Sequence, residues 1–324
     1  MKICIIENRS ELGAGTRGSS LSVDAIRSSA LTTGSNFFID HEVKSLTISQ
    51  EELYKEVQHK FAKRINGIQE VYNVVAKEVS QTLVVDQKFP LVISGDHSSA
   101  GGTLAGIKNA YPDSKLGVIW IDAHADMHSP FTTPSGNVHG MPLAAALGWD
   151  NLDKQCNDVD HETKRLWNDL KSTGGKSPKF DANDLLFVGV RDTEMAEDYL
   201  IEKHQISNFK VDEIRSQGAR KMAQRALVEK FSMCDKIYIS LDVDGMDCEA
   251  TSYGTGTPVK NGLLKEEVKD FIEVILESGK VCAFELVEVN PLLDNKGNLM
   301  AEIALEILEF TESILLKTKN KVLA

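Results

Sequence analysis

Six short apolar runs, 3–6, 89–94, 116–121, 184–190, 236–241 and 281–287, recur between stretches of helical periodicity and constrain this chain more than any other feature. None approaches the length of a membrane span, and none shows the polar–apolar alternation of a half-solvated strand. Continuous apolar strands alternating with helices indicate an α/β fold with a mainly parallel sheet covered on both faces. Helices are expected around 24–27, over 49–85, from Ser99, over 139–147, from about Met195, over 265–277 and over 300–316. The second of these begins at Ser49-Gln-Glu-Glu52, the spacing of a capping box, and reads as a long surface helix. Residues 12–18 form a glycine-punctuated turn whose spacing does not fit a dinucleotide fingerprint. Segment 150–180 is polar and breaks at Gly174-Gly175; it departs from the strand–helix alternation and is expected to be an insertion or lid. With 324 residues, 42% of them hydrophobic, a single domain over 1–324 can bury a full core.

Charge and cysteine usage narrow the partners. Lys and Arg total 36 against 48 Asp and Glu, a formal charge of −12, which argues against nucleic acid and an anionic membrane surface and leans toward a cationic ligand. Cys4, Cys156, Cys234, Cys248 and Cys282 are odd in number, scattered and without a C-x-x-C pair. Reduced thiols and a cytoplasmic location are expected. The first apolar run stops at Glu7, too short for a signal-peptide core, so the chain reads as soluble.

The chemistry sits where the strands end. The run 116–121 leads into Asp122-Ala-His-Ala-Asp126, and in an extended segment Asp122, His124 and Asp126 would project to one side. His97 follows the run 89–94, and Asp242 and Asp244, again two apart, follow the run 236–241. A polar turn would explain one acid per exit but not this coincidence, and ligands in open α/β sheets bind at the carboxyl ends of strands. Four carboxylates and two imidazoles are too many for one catalytic ion and suit Mn²⁺ better than thiolate-seeking structural Zn²⁺. Two bridged divalent ions balance four carboxylates and can hold a hydroxide at neutral pH, which makes metal-assisted hydrolysis the reaction class.

With those residues in view, the chain resembles the ureohydrolases and, within them, the arginases. The resemblance rests on Ser94-Gly-Asp-His97, Ile121-Asp-Ala-His-Ala-Asp126, Ser135-Gly-Asn-Val-His-Gly140, Ser240-Leu-Asp-Val-Asp-Gly245, Gly254-Thr-Gly-Thr-Pro258 and Glu288-Val-Asn-Pro291, in that order over about two hundred residues. It implies the three-layer α/β/α fold and two Mn²⁺, with Co²⁺ or another divalent ion as substitutes. One ion would be held by His97, Asp122, Asp126 and Asp242, the other by Asp122, His124, Asp242 and Asp244. By the same resemblance His139 would shuttle a proton and Glu288 would meet the guanidinium of L-arginine, with Asp126 counted among the catalytic groups. Thr133, Ser135 and Asn137 would hold the substrate's α-carboxylate, Glu194 and Glu197 its α-ammonium, with His128 and Thr257 beside them. Two positions depart from the family pattern: His128 stands where Asn is common, and Glu194 where an Asp contacts the amino group. Segment 150–180 is longer than in animal arginases and resembles that of some bacterial ones. The reaction implied yields L-ornithine and urea, and a homo-oligomer is compatible with it.

Three other readings compete. An agmatinase or formimidoylglutamase would share the metals but not the Ser-Gly-Asn-x-His-Gly loop, which this chain has. A deacetylase-like hydrolase would need one zinc and would leave His97 and Asp126 unused. A non-catalytic scaffold would be expected to have lost a ligand, and all six are present.

Overall fold

Each run expected to be a strand is one, because its side chains are apolar enough to be covered from both sides. In the computed structural model, which describes residues 2–322, the strands are β1 (Ile3–Asn8), β2 (Glu42–Ser45), β3 (Phe89–Ser94), β4 (Leu116–Ile121), β5 (Leu185–Val188), β6 (Ser207–Phe209), β7 (Lys236–Asp242) and β8 (Val281–Val287). They form one eight-stranded sheet in the order β2-β1-β3-β8-β7-β4-β5-β6, and all pairings are parallel. The helices are α1 (Ser22–Thr33), α2 (Phe37–Asp40), α3 (Ile65–Val84), α4 (Ala100–Ala110), α5 (Pro142–Leu147), α6 (His161–Lys171), α7 (Met195–Lys203), α8 (Val211–Gln217), α9 (Ala219–Glu229), α10 (Lys265–Glu277) and α11 (Leu299–Val322).

Side-chain alternation along each strand splits the core in two. Ile119 and Ile121 of β4 join Ile237, Ile239 and Leu241 of β7 on the face covered by α1, α8, α9, α10 and α11. Val118, Trp120 and Tyr238 lie on the opposite face, under α3, α4, α5 and α6. Strands apolar on both faces need helices on both, which is the three-layer α/β/α architecture.

Three expectations change. The helix expected over 49–85 begins only at Ile65, because Ser49 does not build the capping box: its hydroxyl accepts from the Glu51 amide, and Glu52 pairs with Lys55. Nor is it a surface helix, since Ile65, Ile68, Val71, Tyr72, Val75 and Val79 are buried. The helix expected over 139–147 is divided: Val138–Gly140 is a single 3₁₀ turn, and α5 starts at Pro142, whose fixed φ suits a first helical position. Residues 150–180 carry α6, and Val159, Leu166, Trp167, Leu170 and Phe180 are buried in the second core cluster. Among the described residues no helix is long and apolar enough to cross a membrane.

Candidate metal centre

The four central strands, β3, β8, β7 and β4, deliver the chemistry. His97 follows β3, Glu288 follows β8, Asp242 closes β7 with Asp244 in the next turn, and Asp122 to Asp126 follow β4. A single local device recurs at three of these exits. Asp96 Oδ1 accepts from the Ser98 amide at 2.8 Å, Asp122 Oδ1 from that of His124 at 2.7 Å, and Asp242 Oδ1 from that of Asp244 at 2.8 Å. An aspartate that bonds the amide two residues on makes its own turn and leaves the other oxygen free. The second oxygen of Asp96 goes to the Gly13 amide at 2.9 Å, which removes it from the site. Those of Asp122 and Asp242 instead face His97 Nδ1, at 3.0 and 3.2 Å. The convergence of Asp122, His124 and Asp126 therefore does not come from an extended segment, as the alternation suggested: β4 ends at Ile121, and Asp126 is turned inward by a left-handed backbone at φ 51°.

His97 Nδ1 is ringed by oxygens of Asp122, Asp126 and Asp242 at 3.0–3.2 Å, yet it has no partner with hydrogen-bond geometry, and neither has Asp122 Oδ2. The other nitrogen, Nε2, lies 2.8 Å from Ser240 Oγ, and the ring stacks on Trp120 at 4.0 Å. That arrangement fixes the imidazole so that its Nδ1 faces the carboxylates. A second group adjoins the first: His124 Nδ1 lies 3.1 Å from Asp244 Oδ2 and 3.5 Å from Asp122 Oδ1. Two trios thus have geometry for a metal, His97–Asp122–Asp242 and Asp122–His124–Asp244, sharing Asp122.

The electrostatics point the same way. Burial and the neighbouring Asp122 push the Asp126 carboxyl up to about 7, and burial with Asp244 and Asp122 raises Asp242 well above the usual carboxylate range. Burial would lower His97, but the three carboxylates around it prevail and raise it. Buried carboxylates are costly unless paired or bound to metal, and this donor set of four carboxylates and two imidazoles fits two divalent cations.

Above the ligands opens a cleft of about 300 Å³ whose walls include His128, Thr133, Ser135, Asn137, His139, Glu194, Glu197 and Thr257. The structure thus brings these residues together around one cleft. Thr133 Oγ1 accepts from the Gly136 amide and Ser135 Oγ from that of Asn137, so both hydroxyl protons remain to be donated. Asn137 Oδ1 accepts from Lys63 Nζ at 3.1 Å, which directs its NH₂ group the other way. Glu197 receives the amides of Met127 and Glu194, and burial pushes its carboxyl up to about 7. His128, lowered by burial, lies 3.4 Å from Glu194 and 3.5 Å from Glu197. Thr257 donates to Asp244 at 2.9 Å. Glu288 lies beneath the cleft rather than on its wall. Its backbone is left-handed at φ 67°, and Oε1 receives the His97 amide at 2.9 Å and lies 3.2 Å from His139 Nδ1. Burial would lower His139, but the bond to Glu288 prevails and raises it to about 9.

Sequence reasoning missed several supporting groups. Asp96 and Gly13 brace the floor, and a Cβ at Gly13 would stand 2.7 Å from Asp96 and Ser98, so the turn 12–18 is built for close approach rather than for phosphate. Arg191 donates to the carbonyls of Gly189, Asp244, Gly245, Val259 and Lys260, tying the Asp244 turn to the loop that carries Thr257. The Asp-x-Ser spacing at Asp96 was a readable signal; Arg191, next to a strand exit, had none.

The arginase family profile matches residues 2–311. The arginase of Bacillus subtilis is 32% identical, covering 95% of this chain and 96% of that one, and the arginase of Brevibacillus brevis is 33% identical over 92% and 93%. The solved structure of Bacillus caldovelox arginase superposes with a TM-score of 0.81 at 31% identity, covering 96% of this chain and 97% of that one. With the fold, the two ligand trios and matches of this extent in agreement, this chain belongs to the arginase family of hydrolases.

Proposed function

We propose that this protein hydrolyses the guanidinium group of L-arginine to L-ornithine and urea, using two divalent cations, Mn²⁺ foremost. The observation that carries the reading is the shared ligand: Asp122 stands in both candidate ligand groups, next to a cleft lined by three neutral donors and two glutamates. His97, Asp122, Asp126 and Asp242 would hold one ion, and Asp122, His124, Asp242 and Asp244 the other. Such a pair of ions lowers the pKa of water from 15.7 toward about 7 and so supplies a nucleophile at neutral pH.

The chain's own groups do the rest. Free O–H donors on Thr133 and Ser135 and the Asn137 amide suit a carboxylate, while Glu194 and Glu197 suit an ammonium. That pairing fits a zwitterionic amino acid and disfavours agmatine, which has no carboxylate to occupy the donors. His139, raised to about 9, carries a proton at neutral pH and can deliver it to the leaving amine. Glu288 orients that imidazole through Nδ1, and its carboxylate suits the planar guanidinium. All five cysteines are free, which supports a reducing, cytoplasmic setting for a single catalytic domain. Urea release from L-arginine by the Mn²⁺-loaded protein tests the reading. Turnover of agmatine with none of L-arginine would overturn it.

A further inference from the structure

Residues 122–137 belong to no helix or strand, yet they include Thr133, Ser135 and Asn137. A substrate-facing loop without regular hydrogen bonds must be held by something else. The structure shows what holds it. Asn157 Nδ2 donates to two carbonyls of the loop, Pro130 at 3.0 Å and Thr133 at 2.7 Å. The backbone amides of Asn157 and Cys156 both donate to the carbonyl between them in sequence, Phe131, at 3.0 and 2.9 Å. Ser129 Oγ completes the attachment by donating to the Asp150 carbonyl at 2.5 Å.

The far side of this clamp is anchored in the core. Asp150 accepts from Trp167 Nε1 at 2.8 Å and Lys171 Nζ at 2.6 Å, both on α6. Trp167, Leu166 and Leu170 bury that helix in the second core cluster beside α3 and α5, and Thr163 at its start lies 2.8 Å from His59 Nδ1. Four residues beyond His59, Lys63 grips the other end of the same loop through its amide to the Gly136 carbonyl and its ammonium to Asn137. Segment 150–180 and segment 59–63 therefore hold the loop at both ends and touch each other through α6.

We infer that Asn157 is a positioning residue that sets recognition of the substrate's α-carboxylate, by fixing the carbonyls of Pro130 and Thr133 so that the Thr133 hydroxyl faces the cleft. Its side-chain amide has two N–H donors for two carbonyls, a match that neither Ala nor Asp reproduces. The inference rests on the reading that the cleft takes L-arginine. A displacement of the loop costs only those ligands that use its donors, so the effect is selective for the carboxylate. Misplacement by about 1 Å can cost about 10²-fold.

The test compares the full-length Mn²⁺-loaded protein with Asn157→Ala and with Asn157→Asp, which keeps the volume if the first variant folds poorly. Asp153→Ala is the control within the same segment, since its carboxylate bonds Tyr199 and Lys203 at the surface, away from the loop. Three quantities are read: hydrogen exchange of peptides covering 129–137, KM and kcat for L-arginine, and calorimetric binding of L-ornithine and of 1,4-diaminobutane, which lacks the carboxylate. Expected are faster loop exchange, KM and the L-ornithine Kd raised roughly 10–100-fold, near-constant kcat, and unchanged diaminobutane binding and metal content. Unchanged exchange in both variants, or equal weakening of both diamines, overturns the inference while leaving the function intact. A wild-type protein that neither turns over L-arginine nor binds L-ornithine overturns the functional reading and this specificity role together.

Discussion

Asp122 divides its two oxygens between two histidines, with Oδ2 3.0 Å from His97 and Oδ1 3.5 Å from His124, and no other ligand belongs to both trios. Asp122→Ala is expected to lose both metal ions and more than about 100-fold in activity, beyond the roughly 10–100-fold typical of a residue that only orients a ligand. Elemental analysis checks it, and two ions retained in that variant would defeat the assignment. Asp242→Ala is the informative companion: loss of one ion rather than two would confine the bridging role to Asp122. His139 stands outside both trios and bonds Glu288, so His139→Ala should keep its metal while turnover falls by about 10²–10⁴-fold. Unchanged turnover would leave His139 as a turn residue only. At Glu197 burial raises the carboxyl to about 7. Below that pH it holds a proton and offers an ammonium no charge; above it the carboxylate forms. KM for L-arginine at saturating metal should therefore fall as pH rises from about 6 to about 8, and Glu197→Gln should flatten this limb. A wild-type KM that is constant over the range removes Glu197 from substrate binding.

Elements differ in how openly their sequences announce them. The runs 89–94, 116–121 and 281–287 match β3, β4 and β8 residue for residue, because strands buried along their whole length are mostly apolar on both faces. The edge strands were invisible for the converse reason. β2 is Glu-Val-Lys-Ser and half exposed, and β6 is three residues long, so neither has an apolar signature. The metal ligands were legible because their two-residue spacing reflects a physical device, an aspartate bonding the amide two positions on. Where Glu288 points was not legible, since it depends on a left-handed backbone that no local residue pattern demands. Such strain, on the order of 1–3 kcal/mol per residue, recurs at Asp126 and so falls on two groups of the same site. The packing of α3 on α4 makes its own prediction. A Cβ at Gly106 would stand 2.7 Å from the Ala76 carbonyl and 2.8 Å from Val79, so Gly106→Ala should destabilise by about 1–3 kcal/mol, the clash outweighing a helix-propensity gain of about 1 kcal/mol. The denaturation midpoint measures it, and a rise in that midpoint would show that the two helices can separate freely.

Across the whole molecule, the metal centre couples stability to pH. In the metal-free protein Asp126, Asp242, Asp244, His97 and His124 all have folded pKa values above their ordinary ones. The folded state then binds more protons than the unfolded state from about pH 4 upward, so metal-free stability falls as pH rises toward 8. Asp122 shifts the other way, but its window lies below pH 4. Bound cations replace those protons, and ligands bind metal only when deprotonated. The gap in melting temperature between Mn²⁺-loaded and chelated protein should consequently widen from pH 5 to pH 8, with about 2.7 kcal/mol of stabilisation at a free ion concentration of 100 Kd. A gap that narrows with rising pH would contradict this arrangement of charges.

The strand order also carries a consequence for how the molecule is made. β3 and β4 follow each other in the chain but are separated in the sheet by β8 and β7, which are synthesised last. A ribosome that has reached residue 230 has made the strands of two half-sheets, β2-β1-β3 and β4-β5-β6, each with an open edge at a strand that the finished molecule buries completely. Unpaired edges of this kind are templates for association with other chains. The interval before residues 236–287 emerge is thus the period in which a nascent chain is most exposed to aggregation, and in which His97 and Asp122 still lie on separate pieces. Competence to bind two ions arrives with the final third of the chain, so metal capture by stalled chains of increasing length would time the closing of the sheet.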